Sequence, residues 1–173
     1  MQDLLPEKKL MNTQGRLISR FTQNLPPGRL EWIGLRPGHK LPMLRVEQVM
    51  ALEGLGLEGD RRCQGTPGSG RQVTLISREY IGQIEHFMGL ADIDPAMLRR
   101  NLVISGINLS ALRHQRFRIG GAEFEAGAWC HPCSRMEKAL GEGAVAAMLG
   151  HGGICARIIS SGEIRIGDAV IKV

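Results

Sequence analysis

Glycines divide the sequence into short segments of β-type residues, and this pattern constrains the fold more than any other feature. The chain has 23 glycines in 173 residues, and they fall beside short apolar and β-branched runs. Glycine adopts positive φ angles without steric cost, so it suits the tight turns between strands. Gly120-Gly121 lies between Phe117–Ile119 and Ala122–Glu125, which predicts a β-hairpin. Gly54–Asp60 predicts a second glycine-rich turn.

Other runs of apolar and β-branched residues predict further strands: Leu30–Leu35, Val46–Leu52, Arg71–Ile76, Asn101–Ile104, Cys155–Ile159, Ile164–Ile166 and Ala169–Val173. Two helices interrupt them. One begins at an N-cap, Ser77, and carries apolar residues at spacings of three and four up to Gly89. The other starts at Asp94-Pro95. These elements predict a mainly β fold with short helices (α+β), arranged as a closed or partly closed β-barrel rather than as βαβ repeats.

The chain length suits one domain with a filled core, because 43% of the residues are hydrophobic. Residues 1–28 are interpreted as an N-terminal extension that stops at Pro26-Pro27-Gly28, and residues 29–173 as the domain. Within the extension, Leu10, Leu17, Ile18 and Phe21 predict the apolar face of a short helix.

The charge and the cysteine content limit which cellular compartment and which binding partners are expected. The net charge is +5, from 22 basic and 17 acidic residues, which suits an anionic ligand. Only 4% of the residues are aromatic and no run of five like charges occurs, so nucleic acid is not expected as a partner. The sequence contains no secretory signal, no apolar stretch of the roughly 18 residues that a membrane span needs, and too few cysteines for a disulfide scaffold. A cytoplasmic protein that does not bind membranes is expected.

The segment Trp129-Cys130-His131-Pro132-Cys133 is the most informative motif. Ser134 and Glu137 after it match a capping box, and Gly141 would end the helix. Cys133 is therefore predicted at a helix N-terminus, where unpaired amides and the helix dipole favour the thiolate over the thiol, with help from Arg135 and His131. A thiolate ligates metals, attacks electrophiles or carries a persulfide.

Other interpretations of this motif remain open. The two cysteines can simply pack in the core. A thioredoxin-like redox pair has a similar Cys-x-x-Cys spacing, but it requires a βαβ unit and a later proline, and no proline follows Pro132. A zinc site would use four ligands of acceptable type, namely Cys130, Cys133, His151 and Cys155. Cys63 and Cys155 otherwise have no partner pattern and are expected to be bystanders.

Several motifs in one order resemble the MOSC family, the C-terminal domain of molybdenum cofactor sulfurases that also occurs in small stand-alone bacterial proteins. They run from Arg29 to the end of the chain: Gly59-Asp60-Arg61, Arg71–Ile76, Leu98–Gly106, Phe117–Gly120, Cys130–Glu137, Gly150–Ile154 and Ile164–Asp168. The resemblance implies a MOSC-type β-barrel whose cleft binds the molybdenum cofactor, in its molybdopterin form, or handles the sulfur of that cofactor.

The resemblance also implies roles for single residues. Cys133 matches the cysteine that ligates molybdenum in metal-binding members, and soft thiolates suit such centres. Arg99 and Asn101 match an Arg-x-Asn pattern, in which the arginine would hold the pterin phosphate and the amide would pair with the pterin edge. Ser77 at its helix start is a further candidate for phosphate. The remaining expected cleft residues are Asp60, Arg61 and His151. Many members have histidine where this chain has Arg62.

Two chemistries follow from the resemblance. One is reduction of N-hydroxylated compounds at a Cys133-bound molybdenum, which needs external electron-transfer partners. The other is sulfur carriage, in which a donor protein would load Cys133 as a persulfide. The sequence has no GxGxxG motif, no iron–sulfur cysteine set and no recognisable pyridoxal phosphate lysine. The alternative function is a non-catalytic zinc- or nucleic-acid-binding barrel.

Overall fold

The computed structural model describes residues 13–173. Eleven strands are present in this part of the chain: β1 (Gly28–Leu35), β2 (Leu44–Val46), β3 (Gln48–Leu52), β4 (Gly56–Leu57), β5 (Val73–Ser77), β6 (Leu102–Ser105), β7 (Arg116–Ile119), β8 (Ala122–Trp129), β9 (Ile154–Ser160), β10 (Gly162–Arg165) and β11 (Ala169–Lys172). The helices are α1 (Thr13–Ser19), α2 (Arg78–Met88), α3 (Pro95–Leu98), α4 (Arg135–Leu140) and α5 (Ala144–Met148), with 3₁₀ turns at Arg61–Gln64 and Leu109–Leu112.

Seven strands close into a barrel, in the order β11-β7-β8-β9-β5-β6-β1 and back to β11. The closing pairs are Gly28 with Val170 and Arg29 with Ala169. β2 adds to β1 outside this closure. Closure removes the exposed sheet edges that a flat sheet of the same strands would present. The predicted β-barrel with short helices is confirmed.

The inward faces of the strands form the main core. Phe117 and Phe124 pair across the β7–β8 hairpin with their rings stacked and their centroids 5.4 Å apart, and both are fully buried. Leu30, Leu75 and Ile104 from other barrel strands are also fully buried. Inward apolar and outward polar residues alternate on β7, as a strand with one solvated face requires.

One βαβ unit is built into the barrel. β5 and β6 are parallel neighbours, and α2 and α3 form the crossover between them. The fold was expected to lack βαβ repeats. The other strand pairs of the two sheets are antiparallel, as expected, but this one crossover was not predicted. α2 has the predicted ends, because Ser77 caps it and Gly89 follows it with φ 64°.

A second, small sheet pairs β10 with β3 and β3 with β4. The sequence places the strands Cys155–Ile159 and Ile164–Ile166 on either side of a turn, which would make them hairpin partners. In the structure only Ser161 separates β9 from β10, and β10 pairs with β3 from Gly162↔Ala51 to Arg165↔Gln48. The chain changes sheets at this point instead of folding back on itself.

The N-terminal helix packs differently from the prediction. α1 attaches through Gly15, which is buried and whose carbonyl accepts a hydrogen bond from Gln115 Nε2 (2.8 Å). Leu17 is 55% exposed and Phe21 87% exposed, so the predicted apolar face is wrong for these residues. Leu10 lies outside the described residues. Among residues 13–173, no helix is long and apolar enough to cross a membrane.

Candidate functional site

A buried polar network fixes the guanidinium of Arg36 just beyond β1. Asp60 Oδ2 accepts hydrogen bonds from the amide of Arg36 (2.8 Å) and from its Nε (3.2 Å). Arg36 Nη2 donates to Asp60 Oδ1 and to Asn101 Oδ1, both at 3.2 Å. The Asp60 side chain is 1% exposed and that of Arg36 15%. A two-point contact between a guanidinium and a carboxylate in this setting holds the arginine in one orientation.

Asn101 is the hub of this network. Its Oδ1 also accepts from the amide and the hydroxyl of Thr74, each at 3.1 Å, while Nδ2 donates to Gly34 O (3.0 Å) and to Asp60 Oδ2 (2.9 Å). Asn101 is fully buried. Both amide hydrogens and the carbonyl are therefore engaged within the protein. That Asn101 contacts the cofactor stays a prediction; in the structure its amide holds Arg36 and Asp60 in place.

Asp60 is likewise occupied within the protein. Its Oδ1 caps the 3₁₀ turn by accepting from the Arg62 amide (2.9 Å). Burial alone would raise the pKa of Asp60, but the amide, charge and side chain of Arg36, together with the Arg62 amide, lower it. The carboxylate is thus ionised and fully bonded. Its place among the cofactor-binding residues stays a prediction; in the structure the carboxylate stabilises the turn and orients Arg36.

Cationic side chains from distant parts of the sequence meet around this network. We call this group the arginine cluster; it consists of Arg36, His39, Arg61, Arg99 and Arg135. Burial and then the charges of Arg36, Arg135 and Arg61 lower the pKa of Arg99. Desolvation and then the charges of Arg61, Lys40, Arg135 and Arg99 lower the pKa of His39. These cations lie close enough to repel one another, and an anion placed among them relieves that repulsion.

Arg99 and Arg61 are presented to this cluster by the backbone around them. Arg99 ends α3 in the left-handed conformation, with φ 56°, and its Nη1 donates to Leu41 O (2.9 Å). Arg61 follows Asp60 at the 3₁₀ turn, and its Nη1 lies 3.0 Å from His39 Nδ1. A pocket of about 360 Å³ lies between residues 37–39 and residues 61–65. The structure places both predicted arginines in one positively charged region.

Cys133 lies on the exposed loop that leads into α4. Arg135, two residues later, belongs to the arginine cluster, because its charge lowers the pKa of both Arg99 and His39. The thiol is therefore accessible to solvent, and it is two residues along the chain from a member of the arginine cluster.

The capping box predicted after Cys133 is absent. Ser134 adopts helical backbone angles, φ −54° and ψ −18°, and its side chain makes no cap hydrogen bond. Glu137 instead accepts from the amides of Gly143 (2.8 Å) and Val145 (2.9 Å) at the start of α5. The predicted capping box was wrong because α5 begins close to Glu137, and its amides bind the carboxylate that would have capped α4.

Ser77 caps α2 as predicted but does not offer a phosphate site. Its hydroxyl accepts from the amides of Glu79 (3.1 Å) and Tyr80 (3.4 Å) and donates to the Glu79 carboxylate. The second oxygen of Glu79 accepts from the Gly106 amide (2.7 Å). Ser77 is 2% exposed, and a carboxylate of the protein itself already lies at this helix start. The cofactor role of Ser77 stays a prediction; in the structure its hydroxyl caps α2.

His151 packs against α2. Its ring makes edge contacts with Tyr80 and Phe87, with centroids 5.5 and 5.8 Å apart, and its Nδ1 lies 3.0 Å from Leu149 O. That His151 lines the cofactor cleft stays a prediction; in the structure its ring packs against Tyr80 and Phe87. Within residues 13–173, no three His, Cys, Asp or Glu side chains are grouped so that they could hold a metal ion. The zinc set of the alternative function is thus not assembled.

The environment of Cys130, the other cysteine of the motif, is visible only in the structure. Cys130 is partly buried, and its carbonyl accepts from Arg100 Nη2 (3.3 Å). A hydrogen bond from the Cys155 thiol lowers the pKa of Cys130 to about 6; burial opposes this shift, and the charges of Arg100, Arg71 and Arg36 add to it. Cys155, which was expected to be a bystander, lies diagonal to Cys130 on the neighbouring strand. The motif indicated Cys130, but its partner is 25 positions away and no local pattern points to it.

The expectation that Cys63 is a bystander stays a prediction. Its thiol donates to Leu57 O (2.9 Å). Burial and then the charges of Asp60 and Glu58 raise the pKa of this thiol. A neutral, hydrogen-bonded thiol of this kind is a poor nucleophile and a poor metal ligand.

Comparisons with known proteins agree with this architecture. The YuaD protein from Bacillus subtilis has a TM-score of 0.71 at 20% identity, over 84% of this chain and 94% of that one. YiiM from Escherichia coli has a TM-score of 0.63 at 22% identity, over 84% and 69% of the two chains. YiiM from Geobacillus stearothermophilus has a TM-score of 0.68 at 15% identity, over 85% and 75%. Identities this low show a shared fold. A search of curated proteins found no match.

The MOSC domain model matches residues 60–171, a range that runs from the carboxylate of the polar network to the strand that closes the barrel. It includes Arg61, Arg99, Arg135 and both cysteines of the Cys-x-x-Cys motif. On the match to this model and on the shared barrel, the chain belongs to the MOSC domain family.

Proposed function

We propose that the arginine cluster and Cys133 together bind the molybdenum cofactor in its molybdopterin form. The observation that supports the proposal is an exposed thiol two residues from Arg135, a member of a cationic cluster in which the charge of Asp60 is already paired with Arg36. The cofactor is an anion with a phosphate at one end and sulfur-bound metal at the other. A site for it needs cations and one accessible soft ligand, and the residues present fit that requirement.

In this proposal Arg99 and Arg61 hold the phosphate. Both guanidiniums keep nitrogens that are not engaged by the hydrogen bonds described above, and Arg61 faces the pocket of about 360 Å³ with His39. Arg36 is held rigidly by Asp60 and Asn101, so it adds positive charge without the entropy cost of ordering a free side chain. Asp60 and Asn101 thus contribute to ligand binding indirectly, by holding Arg36 in one orientation.

Cys133 is proposed as the protein ligand of the metal. Its side chain is exposed, and Arg135 of the arginine cluster follows it two residues along the chain. When bound, the cofactor would supply two-electron redox chemistry at the metal. Reduction of N-hydroxylated compounds, with electrons from a separate protein, is the reaction that we propose for this site.

Reconstitution tests the proposal. Apo-protein is mixed with isolated cofactor, passed through a desalting column, and assayed for molybdenum and pterin phosphate. We expect the wild type to retain both in equal amounts, Cys133→Ser to lose the metal, and Arg99→Ala to bind at least tenfold more weakly. Losing one charge-assisted phosphate contact costs about 1.5–3 kcal/mol, which corresponds to roughly a 10- to 150-fold change.

Cys63→Ser is the matched control, because it changes a thiol outside the cluster and keeps a donor to Leu57 O. It should bind like the wild type. Circular dichroism of each variant confirms that binding losses do not come from unfolding. Failure of the wild type to retain cofactor, or equal retention by Cys133→Ser, would contradict the proposal.

Sulfur carriage is the second candidate, and the exposure of Cys133 favours it, because a donor protein can reach an exposed thiol. Incubation with a persulfide donor followed by mass spectrometry distinguishes it. A stable added sulfur on Cys133, in protein that retains no cofactor, would support carriage over cofactor binding.

A further inference from the structure

The ends of β8 and β9 bring two cysteines onto the same face of the sheet. Trp129 pairs with Ile154, and the Cys130 amide continues the ladder by donating to Gly153 O (2.8 Å). Cys155 comes two residues after Gly153, so it lies on the same face as Cys130 and diagonal to it. Cys155 itself is fully buried, whereas Cys130 is partly exposed.

A β-bulge lies beside this pair. The register of β8 against β9 shifts between Ala126 and Trp129, where two residues of β8 oppose Cys155 alone. A bulge bends its strand and increases the local twist. It therefore affects the direction in which Cys130, just beyond the bulged strand, faces Cys155.

The surroundings favour a negative charge on one sulfur of the pair. Arg100, which is buried, donates through Nε to Gly152 O (2.8 Å) and through Nη2 to Cys130 O (3.3 Å), so its guanidinium is fixed beside the loop. Arg71 and Arg36 add positive charge near the same thiol. Cys155 keeps its proton, because its hydrogen bond to Cys130, burial and the Cys130 charge all raise its pKa.

We propose that Cys130 and Cys155 form a redox pair that reacts with small hydroperoxides and closes to a reversible disulfide. Cys130 is the attacking sulfur because it is both the thiolate and the exposed member. Cys155 is the resolving sulfur because it already contacts Cys130 and is shielded from solvent. The proposal stands apart from cofactor binding, since neither sulfur belongs to the proposed cofactor ligands.

The chemistry balances in two steps. The Cys130 thiolate attacks the terminal oxygen of the hydroperoxide; the S–O bond forms, the O–O bond breaks, and the leaving alkoxide takes a proton from water, which gives a sulfenic acid and an alcohol. Cys155 then attacks the Cys130 sulfur; the S–S bond forms, and the S–O bond breaks with loss of water, which takes the Cys155 proton. Oxidising Cys130 removes the negative charge that keeps Cys155 protonated, so the first step promotes the second.

Tryptic mapping after treatment with a small excess of hydrogen peroxide tests the pair. Trypsin places Cys130 and Cys133 on the peptide 119–135 and Cys155 on the peptide 139–157. We expect the wild type to yield these two peptides cross-linked, with a mass lower by two hydrogens than their sum, and a reductant to separate them. Cys133→Ser should give the same cross-link, which assigns it to Cys130.

Two further variants complete the test. Cys130→Ser should give no cross-link. Cys155→Ala should also give none but should accumulate a sulfenic acid at Cys130 that dimedone traps. Circular dichroism checks that Cys155→Ala is folded; if it is not, the comparison of wild type, Cys130→Ser and Cys133→Ser still decides the assignment. A main product linking Cys130 to Cys133 within peptide 119–135, or no oxidation where free N-acetylcysteine is fully oxidised, would overturn the proposal.

The pH dependence of alkylation gives an independent readout. In Cys133→Ser, the rate of iodoacetamide labelling of peptide 119–135 should reach half its maximum near pH 6, where the pKa of Cys130 lies. In Cys133→Ser/Cys155→Ala the midpoint should move to higher pH, because the hydrogen bond that stabilises the thiolate most is lost. Identical profiles in the two proteins would mean that Cys155 does not act on Cys130.

Discussion

At the scale of single residues, position in the network decides which polar groups remain free for a ligand. Asn101 and Asp60 are buried and their hydrogen-bonding capacity is used within the protein, whereas Arg61 and Arg99 reach the surface of the cluster. The sequence motif indicated all four residues but could not separate these two roles. Burial and the choice of hydrogen-bond partner depend on tertiary contacts, and residue type does not reveal them.

The structural role of Asn101 leads to a stability prediction. Asn101→Ala should lower the free energy of unfolding by about 2–4 kcal/mol, because it removes the buried hydrogen bonds that Asn101 makes with Thr74, Gly34 and Asp60 and takes the side-chain acceptor from the Thr74 amide. Urea denaturation followed by circular dichroism measures the change. Lys138→Ala, an exposed substitution on α4, is the control and should change stability by less than about 0.5 kcal/mol. A loss for Asn101→Ala no larger than that of the control would show that the network does not stabilise the fold.

At the scale of elements, local signals predicted the strands and helices well but not their partners. Ser77 and Gly89 mark the ends of α2, and Gly120-Gly121 marks the β7–β8 hairpin, because caps and tight turns depend on neighbouring residues alone. The pairing of β10 with β3, across more than 100 residues, has no such signal. The capping box after Cys133 failed for a related reason, because α5 supplies the amides that Glu137 binds.

The start of α2 provides a test at this scale. Ser77→Ala should lower the free energy of unfolding by about 1 kcal/mol, the usual cost of losing an N-cap. It should leave cofactor affinity within twofold of the wild type, since Glu79 already occupies this helix start. Thermal unfolding and the reconstitution assay measure the two effects. A large loss of affinity with little loss of stability would instead return Ser77 to the phosphate site.

At the scale of the whole molecule, the closed barrel produces the site. Arg36 follows β1, Arg61 lies on the 3₁₀ turn, Arg99 ends α3, and Arg135 begins α4. These four residues span about 100 positions of sequence, and only the barrel and its crossover bring them together. The family resemblance predicted the fold and two of these arginines. It did not indicate Arg36 or the Cys130–Cys155 pair, since both depend on contacts between distant segments.

The most direct test of this account is anomalous diffraction at the molybdenum edge from crystals grown with isolated cofactor. We predict one anomalous peak at bonding distance from Cys133 Sγ, with phosphate density between Arg61 and Arg99. A peak beside Cys130 or at another surface, or no peak beside Cys133, would contradict the assignment of this cluster as the cofactor site.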